Sequence, residues 1–317
     1  MNRLRTIPLL ALLCALLLSG CAAPQRAPDD GRLQVVTTLF PYYDFARAVA
    51  GDRADVTLLL APGREAHSFE PTPLDAVRLA RADVFVYNGG ESEAWVDDLL
   101  DAAGEEIGAV LRMMDCAAVR EETFVEGMQG ADEEEHEDSD EIEYDEHVWT
   151  SPVNAIALCR ALCDALCAAD PANAEAYRAN CAAYTAELDA LDARFRALRA
   201  EAARDLLVFA DRMPLLYFCE EYDLRYRAAF HGCSTDTEPS LATLKYLIDK
   251  TAEEGVPVVY TVDLDSRRIA EAVAEATGAE IDTLYSLQTV SRADFDAGET
   301  YLTLMERNLC ALERGLL

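Results

Sequence analysis

Histidine and carboxylate side chains are concentrated in one stretch of the chain, residues 131–152. From Asp132 to Glu146 there are eleven acidic residues, one histidine and no Lys or Arg, and such a run stays solvated because its like charges repel one another. His147 follows at once, where the sequence turns apolar. Histidine nitrogen and carboxylate oxygen together suit divalent transition metals. The stretch therefore indicates a metal site at His147; the alternative is a solvated linker beside an ordinary histidine.

A second histidine, His67, follows a predicted strand. Residues 55–60 have the apolar character of a strand, and they lead into a loop rich in Gly and Pro that contains His67. Open α/β sheets bind their ligands at the carboxyl ends of strands. His67 is therefore a candidate ligand, although a lone histidine is more often a surface or core residue. His136, inside the acidic run, is expected to bind metal only transiently.

Strand and helix patterns alternate along two parts of the chain, which predicts two α/β lobes with parallel sheets. The first lobe contains apolar strands at 33–39, 55–60 and 84–87, and the alternation resumes at 206–209. Between the lobes, residues 172–205 contain no Pro or Gly and repeat apolar residues at helical spacing. At 1.5 Å per residue this helix would be about 45 Å long, so we expect one rigid connector that runs along both lobes.

The composition indicates a cation rather than a nucleic acid as the partner. The chain has 317 residues and a formal net charge of −32 at pH 7, and it is long enough for two domains of ordinary size. Nucleic-acid phosphates and anionic membrane surfaces are bound through Lys and Arg, which are in deficit here. We therefore exclude nucleic acid as a partner and expect cations to be the natural counterpart of the chain.

The N-terminal segment predicts export and a lipid anchor. Two arginines precede an apolar run at 7–18 that is too short to span a membrane comfortably. The ending Leu-Ser-Gly-Cys resembles the bacterial lipobox, which implies cleavage before Cys21 and a diacylglycerol on its thiol. Residues 1–20 are then a lipoprotein signal peptide, and residues 21–31 are a flexible tether. The alternative is a plain signal peptide with an incidental cysteine.

Eight cysteines follow Cys21, and three of them share one face of a predicted helix. Cys159, Cys163 and Cys167 recur every four residues among apolar neighbours. We expect them to be buried as small hydrophobic side chains; a thiolate metal cluster is the alternative. Export also permits disulfides, but the sequence alone does not assign their pairing.

Three segments resemble the zinc/manganese solute-binding proteins of bacterial ABC transporters. They are Gly-Arg-Glu-Ala-His-Ser-Phe-Glu-Pro-Thr-Pro at 63–73, Asp-Glu-His-Val-Trp-Thr-Ser-Pro at 145–152 and Thr-Tyr-Leu-Thr-Leu-Met-Glu-Arg-Asn at 300–308. The resemblance covers nearly the whole mature chain. It implies that His67 and His147 are metal ligands in a cleft between two α/β lobes joined by one long rigid helix.

The resemblance also implies ligands from the second lobe. Where the family has a third histidine, residues 209–214 contain Asp211 as the anionic candidate. The family's fourth ligand is an Asp or Glu on a later loop, for which Asp282 is the nearest match. His231 follows a predicted strand and could supply a nitrogen instead. The predicted metal ligands are His67, His147, Asp211 and His231.

The function implied by the resemblance is metal capture for uptake. The chain would be the extracytoplasmic solute-binding component of an ABC importer, would take up Zn²⁺ between its lobes, and would deliver it as a monomer to the membrane permease. Mn²⁺ is the alternative metal, because oxygen-rich sites suit manganese. A metal-buffering surface protein and a secreted zinc-dependent hydrolase are alternatives of other classes. The four histidines form no His-Glu-x-x-His pattern, so we predict no enzymatic activity.

The predicted domain organisation follows from these elements. The mature chain would be anchored by its lipid on the extracytoplasmic face of the cell membrane. An N-terminal lobe at 32–170 would include the acidic loop at 131–146. A connecting helix at 171–205 would lead to a C-terminal lobe at 206–317.

Overall fold

The computed structural model describes residues 31–104, 107–131, 143–234 and 238–317. Within these residues, eight strands form two four-stranded sheets in which every pairing is parallel. This confirms the predicted fold class of two α/β lobes. The predicted signal peptide, the lipidation site Cys21 and residues 132–142 of the acidic run, with His136, lie outside the described residues. At the end of the run, Asp145 and Glu146 are buried rather than solvated, because backbone N–H groups pair with their carboxylates.

The first lobe is built around one of these sheets. In chain order its elements are β1 (Leu33–Thr37), α1 (Phe40–Ala50), β2 (Ala54–Leu58), α2 (Pro73–Leu79), β3 (Val84–Tyr87), α3 (Trp95–Ala103) and β4 (Ala109–Arg112). The strand order is β2-β1-β3-β4. The central strands β1 and β3 are rich in Val and almost fully buried, as expected for a parallel sheet that is covered on both faces.

Two helices that pack on each other follow the first sheet, α4 (Pro152–Ala169) and α5 (Ala174–Glu201). By length and composition α4 could cross a membrane, but half of it is buried within the fold, as in a core helix. Cys159, Cys163 and Cys167 on α4 are buried, which confirms their predicted packing. With 28 residues, α5 is about 42 Å long. It also packs against α1, where the Tyr184 hydroxyl donates to the Asp44 carboxylate at 3.1 Å.

The second lobe repeats the alternation of strands and helices. Its elements are β5 (Leu206–Met213), α6 (Leu216–Glu221), β6 (Arg225–His231), α7 (Leu241–Glu254), β7 (Val258–Val262), α8 (Arg268–Thr277), β8 (Glu280–Leu284), α9 (Arg292–Ala297) and α10 (Tyr301–Leu316). The strand order is β6-β5-β7-β8. The end of α5 contacts this lobe at two places. The rings of Phe195 and Phe218 of α6 pack with their centroids 4.8 Å apart. Nη1 of Arg194 lies 2.6 Å from Oε1 of Glu306 on α10. A long helix therefore links the lobes, as predicted.

Three candidate ligands lie in strands, although the sequence places each of them beyond a strand or in a loop. β5 continues through Asp211 to Met213, because it resumes its pairing with β6 after a register shift that follows Phe209. Asp282 lies in β8, where every residue pairs with β7. His231 is the last residue of β6 rather than part of the loop that follows it.

Candidate metal site

His147 is buried in the segment that precedes α4. It lies immediately before a short 3-10 turn, Val148–Thr150, and 3% of the residue is exposed. Asp145 orients the ring, because its Oδ1 accepts the backbone N–H of His147 at 2.8 Å and lies 3.2 Å from Nδ1. A carboxylate beside Nδ1 favours a proton on that atom, which presents Nε2 as the metal-binding nitrogen.

The protonation of His147 depends on two opposing effects. Burial lowers its pKa, but the Asp145 carboxylate, with smaller contributions from Glu146 and Glu122, outweighs burial, so the pKa of His147 is raised. A metal ion binds only the unprotonated nitrogen. Protons therefore compete with metal at this residue.

Groups from both lobes hold the turn that follows His147. The Trp149 ring lies edge-on to the His147 ring at a centroid distance of 5.4 Å, and its indole N–H donates to the Ser286 carbonyl at 2.8 Å. The Tyr301 hydroxyl donates to the Trp149 carbonyl at 2.8 Å. The Thr150 hydroxyl donates to the His147 carbonyl at 2.8 Å. These contacts fix the position of His147 through the protein alone.

His67 lies on the exposed loop between β2 and α2. The pKa of His67 is lowered, mainly because its ring is partly buried. The charges of His147 and Arg212 also lower this pKa, whereas those of Glu146 and Glu65 oppose the shift. His67 lies two residues after Glu65, which lines the same small cavity as His147. The loop that carries His67 therefore reaches the region of His147, although His67 is not among the residues that line this cavity.

A small cavity lies between His147 and the second lobe. Its lining includes Glu65, His147, Arg212, Gly232, Asp263 and Asp265. Gly232 permits the close approach of the lobes, because a Cβ at this position would lie 3.0 Å from Cε1 of His147 and 3.2 Å from Oδ2 of Asp145. The two lobes therefore meet at the His147 ring.

Asp211 is buried, and its carboxylate accepts hydrogen bonds from the backbone. Its Oδ1 accepts the N–H of Arg212 at 2.8 Å, and its Oδ2 accepts the N–H of Val262 at 3.0 Å. Burial, followed by the charge of Asp265, raises the pKa of Asp211 to about 6. The carboxylate thus ties β5 to β7.

The other two second-lobe candidates also have protein partners. Nδ1 of His231 lies 3.0 Å from Oε1 of Glu122. The centroids of the His231 and Phe124 rings are 5.2 Å apart. Asp282 accepts a hydrogen bond from Nε of Arg314 at 2.7 Å and lines a separate cavity beside α10. In the part of the chain that the structure describes, no three His, Cys, Asp or Glu side chains are grouped closely enough to hold a metal ion.

Four charged residues of the cavity are not among the predicted site residues: Glu65, Arg212, Asp263 and Asp265. Asp263 and Asp265 lie in the segment that follows β7. The Asp263 carboxylate accepts the backbone N–H of Ser286 at 2.7 Å, and burial raises the pKa of Asp263 to about 7. Nη2 of Arg212 lies 2.8 Å from Oδ1 of Asp265. The two aspartates occupy the same kind of position as His67, the carboxyl end of a parallel strand, and that signal could have identified them.

Comparison with known proteins identifies the family. The chain matches the family described as zinc-uptake complex component A, periplasmic, over residues 35–315. It is 35% identical over 310 residues to the zinc-binding lipoprotein AdcA of Streptococcus pneumoniae, which covers 96% of this chain but 60% of AdcA. It is 32% identical over 314 residues to the high-affinity zinc uptake system protein ZnuA of Bacillus subtilis, covering 96% of this chain and 95% of ZnuA.

A solved structure agrees with these matches. The Zn(II)-bound ZnuA-like domain of Streptococcus pneumoniae AdcA superposes with a TM-score of 0.74 at 31% identity, covering 90% of this chain and 99% of that one. The predicted resemblance is thereby confirmed. The chain belongs to the ZnuA family, zinc-uptake complex component A, which is a family of solute-binding proteins.

Proposed function

We propose that this chain is the extracytoplasmic solute-binding component of a metal ABC importer, and that it captures Zn²⁺ between its lobes for delivery to a membrane permease. The observation that carries the proposal is His147, a buried imidazole that Asp145 orients and that faces the second lobe at Gly232. Binding and release of the ion require no catalysis. The relatives named as zinc-binding and zinc-uptake proteins support this role.

We further propose that His67 and His147 form the first-lobe half of the site and that Asp211 or His231 completes it. Each carboxylate oxygen of Asp211 accepts one backbone N–H and has a second lone pair for a metal. Glu122 beside Nδ1 of His231 favours Nε2 as that residue's ligand atom. Metal binding would draw one of these groups to His147, as expected for an ion that bridges two lobes.

Manganese is the second candidate ion, because carboxylates line the cavity. Glu65, Asp263 and Asp265 could supply oxygen ligands, which Mn²⁺ prefers, whereas a pair of histidines favours Zn²⁺. A titration with the two metals in competition tests the choice. We expect Zn²⁺ to displace Mn²⁺; the reverse order would make the chain a manganese-binding protein of the same family.

Calorimetric zinc titration of alanine variants tests the site. His67→Ala and His147→Ala should each weaken binding by roughly 100-fold or more, since each removes a ligand atom. Whichever of Asp211→Ala and His231→Ala weakens zinc binding identifies the second-lobe ligand. Asp282→Ala is the matched control, since this carboxylate is paired elsewhere, and circular dichroism checks the fold. If Asp211→Ala and His231→Ala are both silent while His67→Ala abolishes binding, the second half of the site lies elsewhere.

The location and organisation of the chain follow from the same proposal. A lipid on Cys21 would hold the protein on the outer face of the cell membrane as a monomer, close to its permease. We propose lobes at 32–170 and 206–317, with the connecting helix at 171–205 between them. Relatives named as lipoproteins support the anchor.

A further inference from the structure

Four buried thiols lie in the interface between α4 and α5. Cys159, Cys163 and Cys167 occupy every fourth residue of α4, and Cys181 lies on α5. The Sγ atoms of Cys163 and Cys167 are 4.0 Å apart, and the Cys181 thiol donates to the Cys159 carbonyl at 3.6 Å. The Cys159 carbonyl points along α4 toward Cys163, because a helical carbonyl faces the residue four positions further on. The Cys181 thiol therefore lies against the turn of α4 between Cys159 and Cys163.

Geometry favours the pair from different helices. Residues four apart on one helix have Cβ atoms about 5–6 Å apart, whereas a disulfide needs about 3.5–4.5 Å. Cys163 and Cys167 could therefore join only if α4 unwound locally. Cys163 lies six residues before Ala169, the end of α4, and Cys181 lies seven residues after Ala174, the start of α5. In a hairpin of two antiparallel helices, interface residues at similar distances from the turn lie at the same level, and Cys163 and Cys181 are both buried in this interface.

We propose that Cys163 and Cys181 form a disulfide that links α4 to α5. An Sγ–Sγ bond forms as both S–H bonds break; the two electrons and two protons reduce the disulfide of an oxidant to two thiols. The oxidant would be an extracytoplasmic thiol–disulfide oxidoreductase or a small-molecule disulfide. The proposal rests on export of the chain, which is part of the proposed function, but not on metal binding. The bond fixes the first half of α5 to the first lobe.

The bond forms before the two helices pack. Burial raises the pKa of Cys163 and the pKa of Cys181, which keeps both groups in the unreactive thiol form, and burial also excludes an oxidant. The unfolded chain has neither restraint. We therefore expect oxidation during refolding but not in protein that is already folded and reduced.

Disulfide mapping of the mature chain tests the proposal. The reduced protein is unfolded, refolded with reduced and oxidised glutathione, alkylated, digested without reduction and examined by mass spectrometry. We expect a cross-linked peptide pair that contains Cys163 and Cys181, and its loss in Cys181→Ala. Cys310→Ala, which removes an exposed thiol, should retain the pair. Dithiothreitol should lower the thermal midpoint of the wild type by several degrees and leave that of Cys181→Ala unchanged.

A cross-link between Cys163 and Cys167, or complete alkylation of Cys163 and Cys181 after refolding, would overturn the proposal. If Cys181→Ala does not fold, the peptide map of the wild type decides the question alone. A zinc titration of the same refolded protein separates this proposal from the proposed function. Protein that binds zinc without the cross-link refutes only the disulfide, and cross-linked protein that binds no zinc refutes only the function.

Discussion

Glu93 is a buried carboxyl group whose ionisation should make the stability of the fold depend on pH. It lies in a short helical turn after β3, and 2% of the residue is exposed. Its Oε2 accepts the backbone N–H groups of Asn88 at 2.7 Å and Gly89 at 3.0 Å. Burial is the main reason that the pKa of Glu93 rises from its ordinary value of 4.5 to about 7. We therefore expect Glu93→Gln to remove a loss of stability at alkaline pH.

The sign and the size of the effect follow from the two pKa values. Because the pKa is higher in the folded chain than in the unfolded chain, the stabilisation is fully present below about pH 4.5 and is lost as the pH rises through about 7. Between about pH 5 and about pH 8, the wild type should lose about 2–3 kcal/mol of unfolding free energy relative to Glu93→Gln. Asp211 and Asp263, whose pKa values are also raised, are present in both chains and cancel in this difference.

Urea unfolding of both chains at these two pH values, with a metal chelator present, measures the difference in unfolding free energy. Glu187→Gln, at an exposed position on α5, is the matched control and should change the unfolding free energy little at either pH. If the difference between wild type and Glu93→Gln is the same at both pH values to within about 0.5 kcal/mol, the reasoning is refuted.

Two further predictions concern the acidic run and the lipid anchor. Deletion of residues 132–143 should leave the first zinc equivalent tightly bound and remove weaker secondary binding, because a solvated acidic run loses entropy on binding that a fixed site does not lose; calorimetry that shows the tight site gone would contradict this. Cys21→Ala should move the protein from the membrane fraction to the soluble fraction, because the lipid is the predicted anchor. A soluble wild type, or a mature N-terminus other than residue 21, would contradict the anchor.

The buried strands of the fold could be predicted from the sequence, whereas two of the four edge strands, β4 and β8, could not. β1 and β7 are apolar runs, because both of their faces are covered by the protein. β4 and β8 lie at the edges of their sheets and are largely exposed or half-buried, so their residues need not be apolar. The sequence therefore predicts a loop around Asp282, although that residue pairs with β7 in a regular ladder.

The same distinction separates the two halves of the candidate site. The sequence identifies His67 and His147 as candidates because each lies in a recognisable local segment, whereas the positions of the second-lobe groups depend on how side chains leave β5. Successive side chains of a strand point to opposite faces. Since β5 extends beyond residue 212, Asp211 reaches the Val262 N–H while Arg212 lines the cavity beside Asp265.

This arrangement bears on metal loading, because the Arg212 guanidinium is a fixed positive charge at the cavity. A divalent ion bound at His147 would repel it, and the repulsion is strong where little water screens the charges. Asp265, at 2.8 Å, already neutralises part of that charge. The His147 turn, held by Trp149 and Asp145, has no such conflict with a bound ion. We therefore expect the His147 part of the proposed site to be preformed, and the second-lobe part to rearrange when metal binds.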